Sequence, residues 1–439
     1  MRKFSRKFQF PIVLAALAVI GFSACQKNSS ETVVPTIVSP GLKDGKDTIY
    51  AGDTRVLRPT LGNITTPPTF LWLVNGVPAG TDSTYTFTPT DKGDYTISFK
   101  VSSGNSLNAY YYRVKVLGRY ENGFYIINEG SYPATGDVNF YRYNEDTLHL
   151  NVYSQTNPGK QLGVTTEYGA VFNNTLYVVS KQGPFIATDA FSMKETGRIA
   201  QLPADGRAFC GIDNNRGLVS TADGVYPVDL QAFTVGAKIA GITGQAGSMI
   251  KAGNYVFVLT QADGVVALNA ADLSIAGKPA KAAVGFAKTT DGNIWAAAGN
   301  TLYSINSQTL AVSTVTVPFT IYDSWGFWNP GTFSASSVEN AVFFAQTGQW
   351  GGGTQIYKYI PGNAASLQNA FITLPADREL YGGSVRYNPA DNSLVVTGIK
   401  PGYGQNSKEN TLFIYDAATG ALRKSILYTG FFFPAMPAL

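Results

Sequence analysis

The sequence of 439 residues predicts an all-β protein, a seven-bladed β-propeller preceded by a small immunoglobulin-like β-sandwich. Gly (46), Tyr (25) and Phe (26) are abundant, and glycine-rich turns between aromatic strands are typical of β-proteins. Hydrophobic residues make up 44% and charged residues 14% of the chain, which excludes a disordered protein. Apolar residues do not recur at the spacing of a helical repeat. A turn followed by an apolar strand recurs seven times instead, in the last three quarters of the chain.

Residues 1–24 have the order of an export signal. Four basic and no acidic residues occur in 1–7, residues 8–22 are almost wholly apolar, and Ser-Ala then precedes Cys25. This order resembles the bacterial lipoprotein signal, although Phe22 replaces the usual leucine. The resemblance implies that Cys25 is lipidated and anchors the mature protein to a membrane. The alternative is an uncleaved anchor helix with an incidental cysteine.

The lipoprotein signal implies a location in the cell envelope, as an outer membrane lipoprotein facing either the periplasm or the cell surface. Residues 25–34 are polar and are expected to form a flexible tether. Removing the signal also removes four of the 33 basic residues, which leaves 29 basic against 29 acidic residues. A protein so close to neutrality has no general electrostatic attraction for nucleic acid, so no nucleic-acid partner is expected.

Residues 35–117 contain short β-rich runs separated by turn residues, as expected of an immunoglobulin-like sandwich. The segment resembles the PKD-like domains of bacterial envelope proteins in three motifs. These are Trp72 followed by Asn75-Gly76, the run Phe87-Thr88-Pro89, and Gly93-Asp94-Tyr95 before a strand. The resemblance implies a spacer that lifts the rest of the protein off the membrane, with Trp72 as the core tryptophan.

Residues 118–439 contain the repeats, at intervals of about 38 to 52 residues, which suits the four short strands of a propeller blade. The recurring turns begin at Asn122, Asn174, Asn215, Gly253, Gly292, Glu339 and Asp391. An apolar strand follows each turn, and a second strand, which often ends in Asp or Asn, follows that one. The segment resembles YncE-like seven-bladed propellers and envelope propellers of unknown function from gut-type bacteria.

Catalytic motifs are scarce, so we expect no enzymatic activity and no cofactor. His149 is the only histidine, and one histidine cannot build a multi-histidine metal site. We expect it to be a structural or surface residue, and we expect Cys210 to be a small buried hydrophobic residue. Propeller enzymes such as streptogramin lyases resemble this chain in fold but rely on histidine. Two acidic loop residues that converge in the fold would still permit catalysis.

The loops on one face of the predicted propeller contain the candidate binding residues. Loops of the middle blades are short and plain, whereas those of the last three blades combine aromatic side chains with Asn, Gln and Arg. Aromatic rings with a few polar groups suit a flat amphipathic ligand, such as a corrinoid, or a glycan. The alternative is that the rings seal the channel or pack between blades. The predicted ligand-binding residues are Trp325, Phe327, Trp328, Trp350, Arg378, Tyr381 and Tyr403, with Tyr132 from the first blade.

The fold and signal together resemble the propeller lipoproteins that capture cobalamin for outer-membrane transporters. The resemblance implies non-catalytic capture of a small-molecule nutrient, such as cobalamin, which is then passed to a transporter. Two other functions stay open at this point. One is a protein–protein interaction scaffold of an envelope complex, and the other is a lyase or hydrolase that uses loop carboxylates.

Overall fold

The computed structural model describes residues 33–323, 330–348, 352–402 and 404–439. Cys25, Trp325, Phe327, Trp328, Trp350 and Tyr403 therefore lie outside the described residues. The described chain divides into two compact units. The first comprises residues 33–49, Thr54–Thr88 and Asp94–Lys115, and the second comprises Tyr50–Asp53, Pro89–Gly93 and Val116–Leu439. No helix in the described ranges is both long and apolar enough to span a membrane.

The first unit is built from nine strands and a short 3₁₀ turn (Lys43–Gly45). A five-stranded sheet has the order β2-β9-β8-β5-β6, and two smaller sheets pair β1 with β4 and β3 with β7. The strands are β1 (Thr36–Ser39), β2 (Lys46–Tyr50), β3 (Arg55–Leu57), β4 (Thr60–Gly62), β5 (Thr69–Val74), β6 (Val77–Gly80), β7 (Tyr85–Phe87), β8 (Gly93–Ser103) and β9 (Ser106–Leu117).

Trp72 is fully buried in the first unit, as predicted for its core tryptophan. Its ring centroid lies 4.5 Å from that of Phe99 and 5.5 Å from that of Tyr85. Its indole N–H donates to the carbonyl of Asp82 at 2.8 Å. The ring therefore contributes apolar contact area while its one polar atom is satisfied, the usual arrangement for a buried tryptophan.

The second unit contains a succession of four-stranded antiparallel sheets in its described part. Each sheet uses four strands that follow one another in the chain. Their strands are β12 (Val164–Phe172), β13 (Thr175–Gln182), β14 (Phe185–Asp189), β15 (Glu195–Ile199); β16 (Gly206–Gly211), β17 (Arg216–Thr221), β18 (Gly224–Asp229), β19 (Thr234–Val235); β20 (Ala246–Ala252), β21 (Tyr255–Thr260), β22 (Gly264–Asn269), β23 (Ile275–Ala280); β24 (Val284–Lys288), β25 (Ile294–Ala298), β26 (Thr301–Ile305), β27 (Val312–Thr316); β28 (Ser334–Ala335), β29 (Val342–Ala345), β30 (Gln355–Tyr359), β31 (Ile372–Thr373); and β32 (Glu379–Asn388), β33 (Ser393–Ile399), β34 (Glu409–Asp416), β35 (Leu422–Thr429).

One further sheet joins the two ends of this unit. Its order is β11-β10-β36, with β10 at Gly123–Asn128, β11 at Asp137–Arg142 and the C-terminal β36 at Pro434–Ala438. Strands β10 and β36 pair antiparallel, with Tyr125 opposite Ala438 and Ile127 opposite Met436. Short helical turns lie at Val152–Thr156 (α1), Ala364–Leu367 and Gly404–Lys408.

The inner strands of these sheets form a closed ring. Strand β12 packs against β16, then β20, β24, β28 and β32 follow in order, and β36 lies between β32 and β12. Repeated four-stranded sheets around such a ring give the all-β, propeller-like fold that the repeats predict. The predicted turns lead into the second strand of each four-stranded sheet, and Asn174 and Asn392 there adopt the left-handed conformation that asparagine tolerates.

Cys210 and His149 both lie in structural surroundings. Cys210 lies on β16 inside an apolar cluster, and burial raises the pKa of its thiol to about 12. His149 bridges Phe140 through its backbone, and its Nε2 lies 2.8 Å from a carboxylate oxygen of Glu145. Both expectations are confirmed, since Cys210 is a buried apolar residue and His149 is a partly exposed residue at the edge of a sheet.

Candidate functional site

Four side chains from four different sheets converge at the loop end of the propeller ring. Glu129 follows β10, Glu167 lies on β12, Arg207 on β16 and Tyr381 on β32. We call these four residues the channel-mouth cluster. The Tyr381 hydroxyl donates to Glu129 Oε2 at 2.9 Å. Glu167 interacts electrostatically with the other three. Residues from four separate blades come this close together near the central axis, where the blades meet.

A β-bulge sets the position of Glu167. Thr166 pairs with Ser180 and Tyr168 pairs with Val179, so Glu167 is the extra residue of β12. The hydroxyl oxygens of Thr166 and Ser180 lie 2.8 Å apart and hold the strand on one side of the bulge. Bulges commonly redirect a side chain beside a functional site. In this protein the bulge interrupts the alternation of side chains between the two faces of β12, so the carboxyl group of Glu167 does not follow that alternation.

Glu167 is the electrostatically unusual member of the cluster. The residue is 1% exposed, and neither carboxylate oxygen has a hydrogen-bond partner among the described residues. Burial and the neighbouring Glu129 raise its pKa well above the usual range, whereas Lys181 and Arg207 oppose that rise. Buried polar groups are nearly always hydrogen-bonded, and an unpaired one costs free energy. Groups with strongly shifted pKa values are concentrated at functional sites, which makes Glu167 a candidate site residue.

A second bulge positions Tyr381. The pairing of β32 with β33 shifts between Leu380 and Val385, so the intervening residues leave the ladder. Gly382 has a φ of 56°, and a Cβ atom there would lie 2.5 Å from the carbonyl oxygen of Ala435, so this close approach to β36 requires glycine. Burial and Glu129 raise the pKa of Tyr381, so its hydroxyl keeps its proton and donates.

Arg207 supplies the positive charge of the cluster. It is 5% exposed, its Nε–H donates to Gln245 Oε1 at 2.8 Å, and its Nη1–H donates to the carbonyl of Gly206 at 2.8 Å. Burial lowers the pKa of Arg207, and the carboxylates of Glu167 and Asp205 partly offset that effect. A carboxyl pair, a phenol donor and a guanidinium together can orient a ligand that has both donors and acceptors.

The predicted site residues that the structure describes have different surroundings. Tyr381 belongs to the channel-mouth cluster, and Tyr132 is 79% exposed. Arg378 is buried, and its Nε–H donates to Thr411 Oγ1 at 2.8 Å while Nη1 donates to the backbone and carboxylate of Asp377 at 2.7 Å. Its role as a ligand clamp stays a prediction. Most of its N–H groups already donate to other residues of the fold.

Sequence reasoning missed Glu167 and Arg207 and did not single out Glu129. Glu129 lies in the segment Asn128 to Tyr132, directly after an apolar strand, so the sequence indicates that it is in a loop. Glu167 lies on a strand, where a carboxylate ordinarily points to solvent. A signal was present in the one acidic residue of Val164-Thr-Thr-Glu-Tyr168, but only the bulge buries it. The described residues contain no group of three or more His, Cys, Asp or Glu that could hold a metal ion.

A family described as a domain of unknown function, DUF5074, matches residues 122–439. The chain belongs to this DUF5074 family. The match covers the second unit almost completely and ends at the last residue, so the channel-mouth cluster lies entirely within the DUF5074 region. No curated protein matches the chain.

Solved structures similar to this DUF5074 protein include propeller-like proteins of low sequence identity. A quinonprotein alcohol dehydrogenase-like protein from Bacteroides thetaiotaomicron VPI-5482 is 19% identical, covers 92% of this chain and 99% of its own, and has a TM-score of 0.60. That similarity concerns the fold. PorZ of Porphyromonas gingivalis, a surface component of the type-IX secretion system, is 12% identical over 76% of this chain and 44% of its own (TM-score 0.42). BamB from Moraxella catarrhalis is 13% identical over 59% and 74% (TM-score 0.37). The last two TM-scores are too low to inform this chain.

Proposed function

We propose that this protein is a cell-envelope lipoprotein, anchored through Cys25, whose seven-bladed propeller captures a small amphipathic ligand at its loop face without catalysis. In this proposal residues 35–117 act as a PKD-like spacer. The observation that carries the proposal is the buried carboxyl group of Glu167, which has no hydrogen-bond partner among the described residues and lies beside Glu129, Arg207 and Tyr381.

The free-energy cost of Glu167 supports a binding role. An unpaired buried polar group costs about 1–3 kcal/mol, and more when it is charged. A ligand with an N–H or O–H donor would recover that cost on binding. Specific sites usually combine apolar and aromatic walls with a few convergent polar groups. The cluster supplies the polar groups, and the predicted loop residues Trp325, Phe327, Trp328, Trp350 and Tyr403 would supply the aromatic walls.

Cobalamin is the first ligand to test, followed by a panel of glycans, because both combine apolar faces with many hydrogen-bond donors. The expected physiological partner is an outer-membrane transporter that receives the ligand. Titration of the purified protein, followed by tryptophan fluorescence, measures the affinity directly. If neither class binds, the scaffold function becomes the better explanation of the aromatic loops.

Replacing Glu167 with Gln is expected to weaken binding of the captured ligand at least about tenfold. A donor on the ligand favours the ionised form of Glu167, and the charge-assisted hydrogen bond that results is one that Gln cannot form. The control is Glu145→Gln, which changes a half-exposed carboxylate that is paired with Arg142 and His149 at the edge of a sheet. That control should leave the affinity unchanged. Equal affinity of the wild type and the Glu167 variant would place the ligand elsewhere.

One observation favours catalysis as a second candidate function. The surroundings of Glu129 and Glu167 differ. Glu129 accepts a hydrogen bond from Tyr381, whereas burial and Glu129 raise the pKa of Glu167 well above its usual range. Hydrolases use a carboxyl group with a raised pKa beside a second carboxyl group as their acid and base. Mass spectrometry of the ligand before and after incubation decides between the two functions. An unchanged ligand supports capture, and a converted ligand supports a lyase or hydrolase.

Replacing Cys25 with Ser is expected to move the protein from the membrane fraction to the soluble fraction of the cell envelope. Two or three acyl chains anchor a protein firmly, since each buried methylene contributes about 0.8 kcal/mol. Fractionation and labelling with a fatty acid measure this change. A variant that keeps its membrane fraction and takes up as much label as the wild type would refute lipidation at Cys25.

A further inference from the structure

We propose that a cavity within the propeller ring, lined by none of the channel-mouth cluster residues, binds an amphipathic carboxylate through Arg386. This proposal does not rest on ligand capture at the channel-mouth cluster, because the residues of the two sites are different. The cavity has a volume of about 330 Å³. The residues that carry the argument are Tyr168, Met249, Phe286, Phe333, Arg386 and Met436.

The cavity is lined by the inner strands of several sheets. Its lining residues come from β12, β20, β24, β28, β32 and β36, with the segment just before β28. It therefore lies within the ring that these strands form, where a ligand meets side chains from most of the propeller at once. Its volume falls within the range of small-molecule sites and suits a compact ligand.

Arg386 has no carboxylate partner in the described chain. Its Nη1–H donates to the carbonyl oxygens of Gly331 at 2.9 Å and Val385 at 2.7 Å, and it forms no ion pair with a described Asp or Glu. The described lining residues include no Asp or Glu, whereas Lys288 adds a second positive charge. The neighbouring residues 324–329, which the structure does not describe, contain no acidic residue in their sequence.

Arg386 is half-buried, and the loss of solvent around its guanidinium cation is energetically unfavourable. This loss of solvent lowers the pKa of Arg386 to about 10, with only the nearby Tyr168 opposing the change. A cation that has lost much of its contact with water is ordinarily paired with an anion. The ring therefore holds a positive charge whose missing partner a bound anion would supply.

The remaining donors of Arg386 favour a planar anion. Nε–H and the Nη2–H groups donate to no other group among the described residues, and this side of a guanidinium forms two parallel hydrogen bonds with a carboxylate. A Cβ atom at Gly383 would lie 2.7 Å from Nη2 and 3.0 Å from the Pro330 ring. Glycine at 383 thus leaves the space in which the guanidinium lies.

The other walls of the cavity favour an apolar body on that anion. Met249, Phe333 and Met436 are each less than 9% exposed, and Phe286 lies beside them. Aromatic and thioether side chains form favourable contacts with a flat or flexible apolar group. An inorganic anion would leave these walls without contacts, so the expected ligand is a carboxylate on a small aromatic or aliphatic body.

The test compares cinnamate with its neutral amide, cinnamamide, by isothermal titration of the full-length protein in detergent. Wild-type protein is expected to bind cinnamate at least about tenfold more tightly than the amide, since a guanidinium–carboxylate pair contributes a charge-assisted bond. Arg386→Met should remove that preference, and Arg386→Lys should keep part of it. Arg423→Met, which changes a surface arginine paired with Asp391 and Asp416, should leave the preference unchanged.

Three results would overturn the proposal. These are no binding of cinnamate at millimolar concentration, equal binding of cinnamate and its amide to the wild type, and an undiminished preference in Arg386→Met. Circular dichroism of each variant checks its folding. If Arg386→Met does not fold, the wild-type comparison of the two ligands and the reduced preference of Arg386→Lys still decide the outcome.

Discussion

Deleting residues 434–439 is expected to destabilise the second unit by more than about 5 kcal/mol and to make the protein aggregate. The deletion removes β36, which pairs with β10 and packs against β32 and β12. Ala435, Met436 and Ala438 are each at most 5% exposed. Loss of one buried methionine side chain alone costs about 2–5 kcal/mol. The deletion also exposes the backbone of β10 at a point where the ring was closed, and an open edge promotes association.

Urea unfolding and size-exclusion chromatography measure these two effects. The matched control removes only Leu439, which follows β36 and is 36% exposed. That control should keep the unfolding midpoint and the monomeric elution of the full chain. A soluble, monomeric deletion variant with the wild-type midpoint would show that β36 does not close the ring.

Replacing Glu167 with Gln is expected to stabilise the protein by about 2 kcal/mol at pH 8. It should also make the free energy of unfolding less dependent on pH. The pKa of Glu167 is raised in the folded protein, so the folded state binds this proton more tightly than the unfolded state does. The stability contributed by the Glu167 proton is therefore fully present below the usual carboxyl pKa of 4.5 and is lost as pH rises through the higher pKa of the folded state. Gln keeps the shape and removes the ionisation, and the size of the gain follows the cost of an unsatisfied buried group.

The groups that act on Glu167 define the control for this experiment. Glu129 and Asp205 raise its pKa, whereas Lys181 and Arg207 lower it. Glu145 is not among the groups that act on Glu167, so Glu145→Gln should leave the part of the slope that comes from Glu167 in place. Urea unfolding from pH 4 to pH 8 gives the free energy of unfolding at each pH. A Glu167→Gln variant whose slope matches that of the wild type would refute this explanation.

The two Glu167 experiments have opposite expected signs. The substitution should raise stability and lower ligand affinity, as expected where a destabilising group is retained for function. A variant that gains stability and keeps its affinity would leave Glu167 as a purely structural feature. A variant that loses both would indicate that Gln disturbs the bulge on β12.

Much of the fold could be predicted from the sequence because its signals are local. A turn such as Asn174-Thr175 has to be polar and has to allow a left-handed residue, whereas the strand after it has to be apolar. Each repeat can therefore be recognised from a stretch of about ten residues. Trp72 and Cys210 were predictable for a similar reason, since their apolar neighbours in sequence already indicate burial. The all-β class, the repeated sheets and the lack of a catalytic histidine set follow from the chain alone.

The channel-mouth cluster and the Arg386 cavity were decided only by the tertiary structure. Glu129 and Tyr381 are 252 positions apart, and Glu167 and Arg386 lie on strands that would ordinarily present charged side chains to water. Each site is assembled where inner strands from separate sheets meet, and two bulges set the direction of the side chains at the mouth. Local patterns determine which residues form strands, but ring closure determines which strands become neighbours, because that depends on the packing of all the sheets together.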